Sequence, residues 1–196
     1  MVKMSQNQNQ YVKAVVYDLE SENLTVFNNT NMKDYVRSCR VRCVQILHSL
    51  GVQCTESVVL IAPSRVEDIP RAVERVRELY NSLNEALRRN NFNVELRPII
   101  EVLELTTDQA NRLIPIAERR LIAALDAAID HVNEVIESLN EITEASRRLR
   151  IRANLRRLSN SWQRIFEYAR QLGIDISRDY QYLVDLIDSA IEGIEA

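Results

Sequence analysis

The chain is expected to fold as an α+β protein: a small N-terminal domain ordered β-β-α-β-α-β, packed with a C-terminal bundle of about three helices that includes one long amphipathic helix. Three observations predict this. Short runs rich in β-branched residues are confined to the first half of the 196 residues. From Ile116 to Leu172 there is neither glycine nor proline. Within that stretch Leu121, Leu125, Ala128, Val132, Val135, Leu139, Ile142 and Leu149 recur at steps of four and three, with a gap at Ser146, which places them on one face of a helix. Mixed strands and helices followed by helices alone fit a two-part layout. Residues 1–10 are read as a disordered segment, 11–105 as the α+β domain and 106–196 as the helical bundle.

Tyr11–Leu19 (YVKAVVYDL) and Leu24–Phe27 (LTVF) read as strands, joined as a hairpin through the polar link Glu20–Asn23. From Met32 to Leu50 the apolar residues Val36, Cys39, Cys43, Leu47 and Leu50 keep helical spacing, and Gly51 sits where a C-terminal cap belongs. Ser57–Ala62 (SVVLIA) is almost continuously apolar, the mark of a buried strand. Ser64-Arg65-Val66-Glu67 matches a capping box for the next helix, with Ile69, Val73, Val76, Tyr80, Leu83 and Leu87 inward. Because Pro70 belongs in a first helical turn, Asp68 is an alternative N-cap.

After a turn at Arg89–Asn93, the segment Val94–Val102 alternates, while Ile99, Leu103 and Leu105 place apolar groups on the second face as well. Pro98 assigns this strand to an edge or a bulge. Thr106–Gln109 is a second capping box, and Pro115 breaks or kinks the first turns of the helix it opens. Near residue 150 the stripe changes phase. Ile151, Leu155, Leu158, Trp162, Ile165, Ala169 and Leu172 sit two positions out of register with the earlier set, about 200° around a helix. A break between Ser146 and Asn154 resolves this as a helical hairpin. Gly173 ends the second long helix, and Ser177 can cap a last one with Tyr180, Leu183, Ile187 and Ile191 inward. Ile122, Ile129 and Ile136 widen the stripe beyond a two-residue seam, which favours a bundle over a two-stranded coiled coil.

Composition narrows the function. Apolar residues at 46%, charged residues at 27% and a net charge of −3 are those of a soluble globular chain. No apolar run approaches a membrane span, and MVKMSQNQNQ lacks a signal-peptide core, so a cytoplasmic protein with no membrane partner is expected. With glycine only at Gly51, Gly173 and Gly193, no glycine-rich phosphate loop can be written. The two histidines, His48 and His131, lie in no nucleophile motif and no Glu-x-x-His pair. Cys39 and Cys43 fall on the apolar face of their helix and lack a second ligand pair, so Cys39, Cys43 and Cys54 are read as core. No catalytic residue, cofactor or metal is expected. The weakest alternative is a metal-dependent nuclease using Asp18, with Glu20, Glu22 and either Glu67 or Asp68.

Charge patterning adds one candidate surface. Arg147, Arg148, Arg150, Arg152, Arg156 and Arg157 cluster at the phase break, with Trp162 and Tyr168 nearby as stacking groups. Asp126, Asp130, Glu134, Glu137, Glu141 and Glu144 form an acidic row opposite the apolar stripe, able to pair with arginines within a hairpin or between subunits. The favoured reading is a non-enzymatic interaction or scaffold protein. It would self-associate or dock on another protein through Leu121, Leu125, Val132, Val135, Leu139, Ile142 and Leu149, as a subunit of a larger assembly. The alternative is an RNA- or DNA-binding protein that contacts phosphates through the arginine cluster.

Overall fold

The computed structural model describes residues 12–19, 30–139, 142 and 144–195. The expected segment 1–10 and the expected strand Leu24–Phe27 lie outside them. The described chain is mixed α and β. In order it runs β1 (Lys13–Leu19), α1 (Thr30–His48), β2 (Gly51–Thr55), β3 (Val58–Ile61), a 3-10 helix (Pro63–Asp68), α2 (Ile69–Arg89), β4 (Pro98–Glu104), α3 (Thr107–Leu139), α4 (Ala145–Gln171) and α5 (Ser177–Glu195).

The strands form an antiparallel sheet in the order β2-β3-β1-β4. β1 pairs with β3 through Ala14↔Leu60 to Val16↔Val58, and with β4 from Lys13↔Glu104 to Leu19↔Pro98. Both faces of this sheet are apolar, because β1 and β3 carry apolar side chains at consecutive positions rather than alternate ones. Val15, Tyr17, Leu19, Val59 and Ile61 join a core with α1 and α2. Ala14, Val52, Cys54 and Leu60 point the other way and join a second core with α3, α4 and α5. The sheet is therefore the middle of three layers.

Several elements depart from the sequence reading. The segment after α1 is a strand: Gly51 caps nothing and begins β2, where it pairs with Ile61. A Cβ on Gly51 would stand 1.9 Å from the Leu60 carbonyl oxygen and 2.9 Å from the Ala62 nitrogen, so glycine is required there by close backbone approach. The expected capping box at Ser64 is also absent. Those residues form the 3-10 helix, the Ser64 N–H donates to Gln171 Oε1 at 3.0 Å, and Asp68 is the N-cap residue of α2. β4 starts at Pro98, four residues later than expected for that strand, and lies at the edge as the proline requires. The preceding Leu96 is held instead by buried Asn84, which accepts from its N–H at 2.9 Å and donates to its carbonyl at 2.8 Å.

Other signals hold. Thr106 and Gln109 form a reciprocal capping box, Thr106 N–H to Gln109 Oε1 at 2.9 Å and Gln109 N–H to Thr106 Oγ1 at 3.3 Å. Gly173 closes α4 at φ 76°, the left-handed conformation glycine adopts without strain. The three cysteines are free and buried. Pro115, by contrast, does not break α3, which continues through it. Beside it, the Cys54 thiol of β2 donates to the Leu113 carbonyl at 3.4 Å, which fastens this helix to the sheet.

The end of α1 is fixed to β1 by a short polar chain. The Tyr17 hydroxyl donates to the Glu56 carbonyl at 2.7 Å and lies 2.8 Å from His48 Nε2. With its one proton committed to a carbonyl, the Tyr17 oxygen accepts from His48 Nε2–H, so neutral His48 keeps its lone pair on Nδ1.

Two outcomes are expected. Gly51→Ala should destabilise the fold by about 3 kcal/mol, because backbone rather than side chain must move, and an unchanged urea midpoint would contradict this. His48 is held below its ordinary 6.5, first by burial and then by Arg120. Between its folded and unfolded values the unfolded chain binds a proton that the folded chain refuses. Stability should therefore fall as pH drops through 6.5. His48→Gln should flatten that part of the melting-temperature profile.

Candidate interaction surface

The apolar stripe of α3 is divided among three environments. Leu121, Leu125, Val132, Leu139 and Ile142 are buried, Val135 is half-buried, and Leu149 is 61% exposed. Leu149 is thus a correction to the expected bundle contacts. The helical break lies earlier than expected, between Leu139 and Ala145, so Leu149 belongs to α4. There the buried phase is Leu155, Trp162 and Ala169, and Leu149 lies well off it.

α5 packs along both α3 and α4, while those two touch each other little directly. Leu183, Ile187 and Ala190 fill the seam, and Phe166 of α4 stacks on Tyr180 of α5 with ring centroids 4.3 Å apart. Because α5 holds α3 and α4 apart, a crevice of about 600 Å³ remains between their outer halves, lined by His131 and Val135 of α3 and by Ile151, Asn154, Leu155, Arg157 and Leu158 of α4.

The arginine cluster does not form one surface. Arg148 is half-buried, and its Nε donates to the Ile142 carbonyl at 2.8 Å, closing the α3–α4 turn. Arg152 is half-buried as well. Arg147, Arg150, Arg156 and Arg157 are exposed, and among the described residues none of them makes an ion pair. Trp162 is 6% exposed and lies in the core, where the helical phase of Leu155 and Ala169 carries it; it cannot stack on a base. Asn154 and Arg157 line the crevice, and Arg150 lies on the same helical row one turn before Asn154.

On α3 the acidic residues Asp126, Asp130, Glu134 and Glu137 are all exposed. Glu134 stands one turn beyond His131 and next to Val135, and Asp130 precedes His131; both are exposed. The crevice is thus largely apolar, with His131, Asn154 and Arg157 as its polar lining, and exposed Asp130 and Glu134 stand next in sequence to its two α3 residues. His131 and Asn154 were not assigned to this surface from the sequence because each is an isolated polar residue whose position depends on how two helices meet.

The other candidates do not assemble. Asp18 is exposed on β1 opposite Ile99, and Asp68 pairs with Arg65 at 3.2 Å. Among the described residues no three of His, Cys, Asp and Glu are grouped to hold a metal ion. No helix among them is long and apolar enough to cross a membrane. Comparison of the chain with family models, curated proteins and solved structures finds no match.

The two kinds of arginine should separate in a melting experiment. Arg148→Ala should cost about 1–2 kcal/mol, since the Ile142 carbonyl loses a charge-assisted partner. Arg150→Ala should stay within about 0.5 kcal/mol. Equal losses would contradict the division.

Proposed function

We propose that the protein is a non-enzymatic interaction protein that self-associates through the α3–α4 crevice. The observation that carries this reading is an open apolar crevice with Arg157 in its α4 wall and exposed Asp130 and Glu134 flanking its α3 residues in sequence, which we read as a basic and an acidic lip. A second copy related by a two-fold axis along the crevice sets each acidic lip against the partner's arginine lip, with α3 crossing the partner's α4 antiparallel. Both lips are then neutralised at once and the apolar floors meet, an isologous arrangement. A uniformly charged ligand would match one lip and be repelled by the other.

A paired reversal tests the geometry. The wild-type chain should sediment as a dimer that weakens as salt rises. Arg150→Glu with Arg157→Glu makes both lips acidic, and Asp130→Arg with Glu134→Arg makes both basic. Each variant should be monomeric alone, and the two mixed should form a heterodimer. A wild-type chain that stays monomeric at tens of micromolar, or reversals without effect on association, would refute the reading.

The alternative is nucleic-acid binding through the exposed Arg147, Arg150, Arg156 and Arg157, favoured by their lack of ion-pair partners among the described residues. It would show as binding to RNA or duplex DNA with an affinity falling by orders of magnitude between about 50 and 200 mM salt. The acidic row on the neighbouring helix weighs against it.

A further inference from the structure

Where α1 ends and β2 begins lie two adjoining open cavities of about 450 and 180 Å³ that share His48 and Ile165, the larger between the end of α1 and α4 and the smaller between β2, α3 and α4. The larger is also lined by Gln45, Ser49, Ser161, Arg164 and Tyr168, and the smaller by Gln53 and Arg120. Neither lining contains an aspartate or glutamate, although acidic residues outnumber basic ones 28 to 25 in the chain. Arg120 and Arg164 are exposed and, among the described residues, neither forms an ion pair. Two guanidiniums, an imidazole, hydroxyls and carboxamides without a carboxylate suit an anion with several acceptor oxygens.

We propose that this cleft binds a phosphate group, free or carried by a small molecule, between Arg120 and Arg164 with His48 between them. The proposal is independent of self-association, which uses the outer halves of the same helices.

The hydrogen-bond chain explains why His48 suits this place. Its Nε2–H is committed to Tyr17, whose own proton goes to Glu56, so the ring is held in one orientation with Nδ1 unprotonated. Burial and Arg120 hold its titration below the ordinary value. Arg40 of α1 and Glu56 of the β2–β3 turn also act on the Tyr17 end of the pair, and Arg164 and Tyr168 line the cleft from α4. A phosphate dianion offsets the guanidinium field. His48 then gains a proton on Nδ1 and donates it to a phosphate oxygen, so its titration moves upward on binding.

The chain has two histidines, one in each candidate site, which makes the test direct. The ring signals of His48 and His131 would be followed by NMR during titration with inorganic phosphate and with a nucleoside 5′-monophosphate, at an ionic strength held constant with chloride. Saturable movement of His48 with a dissociation constant of about a millimolar or below, an upward shift of its titration and a stationary His131 are expected. Whichever probe binds more tightly identifies a free or an esterified phosphate. Arg120→Gln and Arg164→Gln should each weaken binding by roughly tenfold, and Arg156→Gln, on the outer half of α4, should not. His131 and the melting temperature report that the variants remain folded. A His48 signal that does not move, that moves equally with chloride, or whose response survives both arginine changes would overturn the proposal.

Discussion

Burial of the sheet on both faces is the constraint from which the rest of the architecture follows. β1 and β3 lie at its centre with apolar groups at successive positions, so neither face can meet water without a large hydrophobic cost. One face is covered by α1 and α2, which are sequence neighbours of the strands they cover. The other must be covered by whatever follows β4, and this fixes where the three C-terminal helices go. Ala14, Leu60, Val52 and Cys54 are thus as much a part of the helical half as of the sheet. Gly51 belongs to the same constraint, because β2 closes on β3 only where no side chain intervenes.

Helix length then creates the surfaces on which function is argued. α3 is 33 residues, about 50 Å at the ordinary rise, longer than any strand it covers. Its inner half is tied to β2 near Cys54, and its outer half extends past the sheet with α5 and α4 as neighbours. Where three helices meet a sheet the packing is closed. Where a long helix overhangs, its stripe is covered on one side and open on the other, which leaves the crevice beside Val135 and Ile151. The charged rows border this open side because only exposed positions tolerate them.

Much of this was legible in the sequence because it is local. The apolar runs at Lys13–Leu19 and Val58–Ile61, the proline at the edge of β4, the capping box at Thr106, the glycine at the end of α4 and the two out-of-phase stripes are each read within a few turns of chain, and each has a counterpart in the structure. β2 was not legible: Gly51-Val-Gln-Cys-Thr55 is short, and its leading glycine mimics a helix cap until Leu60 is known to lie against it. The break between α3 and α4 was displaced for a related reason. Apolar phase locates where a face changes, whereas the turn falls where the chain can reverse and where Arg148 can close it on Ile142.

Composition and periodicity by themselves determined the class of the protein, the long amphipathic helices, the inward placement of the cysteines and the absence of a glycine-rich phosphate loop, since these depend on residue type and on spacing along one element. Tertiary structure alone decided which charged residues face outward together. It separated six neighbouring arginines into half-buried Arg148 and Arg152 and four exposed ones, buried Trp162, and brought His48, Arg120 and Arg164 from three helices to two adjoining cavities. The physical reason is that a side chain's orientation around its own helix follows from periodicity, but its neighbours across space follow from how that helix packs, and the packing here is dictated by a sheet that must be covered on both sides.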